Sequence, residues 1–157
     1  AHKHNGMVLS TDNLTELLLG FWTLHGDVGD FGMLQNMWKT EVYELAKLLI
    51  DKYRDEDEAK AEALRRCVDA VPTDGLGVSE TDFEQLGAGS YEEIDKTLKD
   101  FLFIQGREDL KNHPVIKKFN STRFDYWVKA RAPQRALSYQ VKSTDTSTSP
   151  HSFTSTF

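Results

Sequence analysis

The sequence predicts an all-α fold: a compact bundle of five to seven helices, followed by a flexible Ser/Thr-rich C-terminal tail. Three observations predict it. Apolar residues recur at helical spacing, as in Val42, Leu45, Ala46, Leu49 and Tyr53. Glycine and proline punctuate the chain between such stretches. Alternating β-type patterning is weak, with Gly6–Ser10 and Ala136–Val141 as its candidates.

Residues 1–11 read as an extended lead-in. Ser10, Thr11 and Asp12 are good N-caps with Glu16 in capping reach, and the spacing predicts a helix from Asp12 to His25. Leu14, Leu17, Leu18, Phe21, Trp22 and Leu24 cover most of its circumference, which suits the centre of a bundle. Gly26 to Gly32 is a glycine- and aspartate-rich break. Met33 to Trp38 continues into a strong helix over Thr40 to Arg54. Four acids, Asp55 to Glu58, complement the N-terminus of a helix over Asp57 to Val71, with Ala61, Leu64, Val68 and Val71 turned inward and Pro72 ending it. Cys67 lies beside that stripe and reads as a buried thiol. A turn at Thr73 to Val78 precedes a short helix, Glu80 to Leu86, capped by Ser79. Ser90 caps a helix from Tyr91 to Gln105, whose stripe is Tyr91, Ile94, Leu98, Phe101 and Leu102, with Gly106 closing it. Pro114 opens a last helical stretch with a break near Ser121. Domain organisation follows: lead-in 1–11, one helical domain 12–142, and a tail 143–157 with ten Ser/Thr in fifteen residues, too polar to offset its ordering entropy.

Charge is split along the chain. Residues 1–106 carry 10 Lys/Arg and 21 Asp/Glu, whereas residues 107–157 carry 9 and 4. The helical domain is thus acidic over 12–106 and basic over 107–142. Such asymmetry lets one end attract what the other repels, a second copy included. The basic part interleaves Lys111, Lys117, Lys118, Arg123, Lys129, Arg131 and Arg135 with aromatics such as Trp127. Cations neutralise phosphates and aromatic faces stack on unpaired bases, so this segment is the candidate surface for a protein partner or single-stranded nucleic acid. The plainer reading makes the aromatics core and the cations a solvated face.

Other candidate chemistry is sparse. His25, Asp27 and Asp30 are weak metal-ligand or acid–base candidates, since a polar turn also uses aspartates to satisfy backbone N–H groups. The segment Asp74 to Phe83 resembles the second half of an EF-hand. That resemblance implies Asp82 as the closing acid with Asp74 nearby, and puts Val71, Thr73 and Gly75 at the first three ligand positions, two of which carry no side-chain oxygen. The competing reading is a turn followed by a capped helix. Asn13-Leu14-Thr15 and Asn120-Ser121-Thr122 are glycosylation sequons. There is no Glu-x-x-His, no phosphate-loop lysine and no dinucleotide fingerprint. With one cysteine, an intramolecular disulfide is impossible. No signal peptide or membrane-length apolar run is visible, and the compartment stays open.

These features predict a non-enzymatic helical interaction or assembly protein, a structural subunit or effector-like adaptor, with no cofactor, no membrane, and another protein or further copies of itself as partner. The alternatives are a nucleic-acid-binding protein acting through 111–135, and a degenerate EF-hand-like or metal-binding protein.

Overall fold

The structure, a computed structural model, describes residues 1–21, 31–73 and 80–122. The first correction concerns fold class. Leu9–Ser10 (β1) and Phe31–Gly32 (β2) pair in parallel, Leu9 opposite Phe31 and Ser10 opposite Gly32. Between them lies helix α1, Leu14–Leu19. A strand, a helix and a second parallel strand form a βαβ unit, so the chain is α/β and not all-α. Its strands are two residues each, too short for a period-2 pattern to register.

Helix α1 is shorter than its apolar pattern. Asn13, not the three residues before it, is the N-cap, and with Glu16 it forms a reciprocal capping box: Glu16 N–H donates to Asn13 Oδ1 at 3.0 Å and Asn13 N–H to Glu16 Oε2 at 3.1 Å. Gly20 ends the helix in the left-handed region at φ 74°. A Cβ there would sit 3.3 Å from Thr122 Oγ1, whose hydroxyl lies 3.1 Å from the Leu18 carbonyl. Asn13 and Thr15 are buried, which leaves the first sequon as part of the packing.

Met33 to Trp38 is a turn, not the start of a helix. Helix α2 spans Lys39–Tyr53, and Glu41 Oε2 accepts from the Trp38 N–H at 2.8 Å where the helix begins. Helix α3, Glu58–Asp69, is capped by Asp57 and packs back along α2. The pair is shallow: no residue of α2 is fully buried, Ala61 is the buried residue of α3, Val71 is exposed, and Cys67 is exposed where a buried thiol was expected. Helix α4, Asp82–Leu86, is capped by Thr81, and α5, Tyr91–Phe103, by Ser90. A 3-10 turn at Glu108–Asn112 leads to α6, Pro114–Ser121, with proline in its first turn as expected.

The core sits between α5, α4, α6 and the ends of α1 and α2. Leu19, Trp38, Leu86, Tyr91, Ile94, Leu98, Val115 and Ile116 are buried together. Trp38 meets Phe103 edge-on, and Phe101 meets Phe119 in the same way. On the sheet side, by contrast, Met7, Val8, Leu9 and Met33 are exposed. No helix is long and apolar enough to cross a membrane among the described residues.

Candidate functional site

One buried polar cluster among the described residues is not one that the sequence reading selected. It lies where the first turns of α1 and α2 meet the middle of α5. Asp95 is 1% exposed. Its Oδ1 accepts from Thr15 Oγ1 at 2.6 Å, and its Oδ2 accepts from the Thr40 N–H at 2.9 Å and from Thr40 Oγ1 at 2.8 Å. A buried carboxylate is costly unless it is satisfied. Here three donors and the positive end of α2 supply that compensation. Thr15 Oγ1 accepts in turn from the Lys39 N–H at 2.9 Å, and the Leu14 N–H donates to the Met37 carbonyl at 2.7 Å. The two helix starts are thereby locked together.

The next residue outward from each clamp is charged. Glu16 follows Thr15 and Lys39 precedes Thr40. Lys39 Nζ lies 2.7 Å from Glu16 Oε1, with about one fifth of each side chain exposed (20% and 21%). The ammonium also lies 5.3 Å from the ring centre of Tyr91 and 5.7 Å from that of Tyr43. The Tyr91 hydroxyl donates to Asp82 Oδ2 at 2.6 Å. Burial, and then this hydrogen bond to an anion, push the Tyr91 phenol far above its ordinary value. Tyr43 is raised as well, chiefly by burial and against the pull of Lys39. The result is a fixed cation on an aromatic floor, held by a carboxylate at a partly open surface. Such a group can engage a phosphate or carboxylate at little reorganisation cost.

Of the residues singled out from sequence, those that are described are dispersed. His25, Asp27, Asp30, Asp74, Arg123, Trp127, Lys129, Arg131 and Arg135 lie outside the described residues, as does the tail 143–157. Lys111 pairs with Glu108. Lys117 is exposed on α6, while Lys118 lies 5.4 Å over the Phe21 ring. Asp82 serves Tyr91 in the first turn of α4, beside the cap Thr81, and the turn expected before it lies outside the described residues. No group of three or more His, Cys, Asp or Glu is placed to hold a metal among the described residues.

Comparison with known proteins decides the family. The family model described as NAD synthase matches residues 1–137. The chain belongs to the NAD synthase family. Over 119 residues it is 39% identical to the NH(3)-dependent NAD(+) synthetase of Thermoplasma acidophilum, covering 75% of this chain and 43% of the relative. The corresponding enzyme of Archaeoglobus fulgidus is 32% identical over 124 residues, 78% of this chain and 45% of the relative. The glutamine-dependent NAD(+) synthetase of Acinetobacter baylyi is 34% identical over 119 residues, 75% of this chain and 20% of the relative. The chain thus spans less than half the length of these relatives. In fold it is similar to the NMN synthetase of Francisella tularensis, with a TM-score of 0.53 at 23% identity, covering 92% of this chain and 49% of that one.

The NAD synthase match overturns the functional expectation. The relatives are enzymes, ligases, where a non-enzymatic adaptor or structural subunit was expected, and the match supports neither self-assembly nor RNA binding. Family and structural likeness together place the fold as Rossmann-like α/β, of which β1, α1 and β2 are a parallel βαβ unit. The charge split misled because several of its members are spent locally. Arg107 pairs with Asp100 and Asp109, Lys96 with Asp100, and Arg65 and Arg66 with Glu62. Glu16 was read only as a capping residue, and Lys39 and Asp95 escaped notice, although two signals were present. Asp95 stands four residues after Tyr91, within the apolar stripe of α5, where an unpaired acid would be costly. Lys39 opens a helix, where a cation is electrostatically misplaced.

Proposed function

We propose that this chain carries part of the working site of an ammonia-dependent NAD(+) synthetase. The observation that carries this reading is the family match across residues 1–137. Chemistry then defines the reaction class. If ammonia supplies the carboxamide nitrogen of NAD(+), the co-substrate bears a carboxylate at that position. A carboxylate does not yield an amide with ammonia unaided. A ligase first lets the carboxylate oxygen attack a phosphorus of a nucleoside triphosphate, whose phosphoanhydride bond breaks so that pyrophosphate or the nucleoside diphosphate leaves. Ammonia then attacks the activated carbonyl, and the carboxylate oxygen leaves on phosphorus as the C–N bond forms.

Substrate and leaving group are both rich in phosphate. In this reading the Lys39 ammonium meets that negative charge, Glu16 fixes the ammonium's position, and the Tyr43 and Tyr91 rings shield it on one side. The test uses the native protein as its own cells make it, supplied with the carboxylate dinucleotide, ammonium and a nucleoside triphosphate. NAD(+) should form, and the corresponding mononucleotide should be amidated far more slowly. Lys39→Met should lower the rate about a hundredfold or more, the loss typical of removing one preorganised electrostatic contact. Failure to amidate the dinucleotide, or a Lys39→Met variant at full rate, would overturn the reading.

A further inference from the structure

We propose that Asp95 is a positioning residue: it sets the geometry of the Glu16–Lys39 pair from beneath, through Thr15 and the first turn of α2. The inference rests on the reading of Lys39 as a substrate contact. It stands on connectivity. Asp95 Oδ1 holds the residue just before Glu16, and Oδ2 holds, by two bonds, the residue just after Lys39. The same Thr15 hydroxyl that donates to Asp95 accepts the Lys39 N–H. One carboxylate therefore fixes both backbone positions from which the ion pair projects.

Packing alone does not do this job. None of the residues of α2 is fully buried, and its apolar contact near the Lys39 end is the half-buried Tyr43, ring to ring with Tyr91. What anchors that end is this contact, the N-cap residue Trp38, buried against Phe103, and the polar clamp on Asp95. Asp95 itself is almost fully buried, so its influence passes through the neighbours it holds.

The test is a set of variants of the native protein. Thr15→Ser keeps the hydroxyl and should leave the rate of NAD(+) formation within about twofold, whereas Thr15→Val keeps the shape, loses the bond and should lower the rate about tenfold, as small displacements of a positioned group do. Asp95→Asn should lower it more. In a Lys39→Met background Asp95→Asn should cost nothing further, because residues acting through one another are not additive. A merely structural Asp95 would give additive losses and equal effects of the two Thr15 changes, and either result overturns the proposal. Should Asp95→Asn fail to fold, the Thr15 pair decides. Should the wild-type protein make no NAD(+), the reading of function fails by itself, and amide hydrogen exchange at Lys39 and Thr40 decides the present point. Both amides should be protected in wild type and lose about tenfold or more of that protection in Thr15→Val or Asp95→Asn, as local opening frees bonded amides. Unchanged protection would overturn it.

Discussion

Tyr91 shows how much one side chain can reveal. Its ring is buried between Phe83 and Tyr43, and its hydroxyl serves Asp82. The phenol is therefore held neutral far past its ordinary 10.0. A raised folded-state value contributes stability that is complete below the unfolded value and is lost as pH climbs through the folded one. In an alkaline titration followed by phenolate absorbance, Tyr91 should ionise only with unfolding. Tyr91→Phe should remove that late step and lower stability by about 1 kcal/mol, the net worth of one hydrogen bond. Normal ionisation of Tyr91 in the folded chain would contradict this. Gly87 gives a steric counterpart. It has φ 59°, and a Cβ there would lie 3.2 Å from Pro114 Cβ and Cγ. Gly87→Ala should cost about 1–2 kcal/mol in denaturant unfolding through left-handed backbone strain; a neutral change would show that the α4–α6 junction yields.

At the scale of elements, stability is uneven. Ile94 and Leu98 of α5 are fully buried, whereas α2 and α3 enclose little. Amides in α5 should exchange slowest and those of α3 among the fastest of the helices, because local opening follows buried contact. Leu98→Ala should cost about 2–5 kcal/mol as a buried large-to-small change, and Asn13→Ala about 1 kcal/mol as a lost cap. Slow exchange confined to α3 would refute this order. The same scale explains what could be read from sequence. The middle and ends of α2, α5 and α6 were legible, because Val42–Tyr53 and Tyr91–Leu102 carry a full helical period and Ser90 and Pro114 mark starts. Of the strands, β1 lies within the β candidate Gly6–Ser10, whereas β2 was not legible, because two residues carry no period. Helix α1 was over-extended because Leu14 to Leu24 stays apolar past Gly20, where the left-handed cap stops it. Apolar content says that a segment is buried, not that it is helical.

Across the whole molecule, charge was the most visible feature and the least informative about function. Its net sign by segment hid short-range pairing. Hydrogen bonds from Lys96 and Arg107 hold the Asp100 carboxyl below its ordinary value, and Arg107 does the same for Asp109. A depressed carboxyl contributes stability above its unfolded value and loses it as pH falls through the folded one. Together with Tyr91, this predicts a stability plateau across neutral pH that falls away in acid, below the ordinary carboxylate range, and at the alkaline end. Thermal unfolding against pH would show it; a maximum confined to the acid side would not fit. The site escaped the sequence for a related reason: Thr15, Glu16, Lys39, Thr40 and Asp95 are common residues spread over three helices, and they make a site only once α1, α2 and α5 converge.

The central claim, that this chain serves amide formation on a dinucleotide, is tested most directly by isotope. The native protein is given the carboxylate dinucleotide, a nucleoside triphosphate and nitrogen-15 ammonium, and the product is read by mass spectrometry. The account predicts NAD(+) one mass unit heavier, with the label in the carboxamide and the yield lost in Lys39→Met. Absence of label from NAD(+) with all three substrates present, or label retained in full without Lys39, would contradict it.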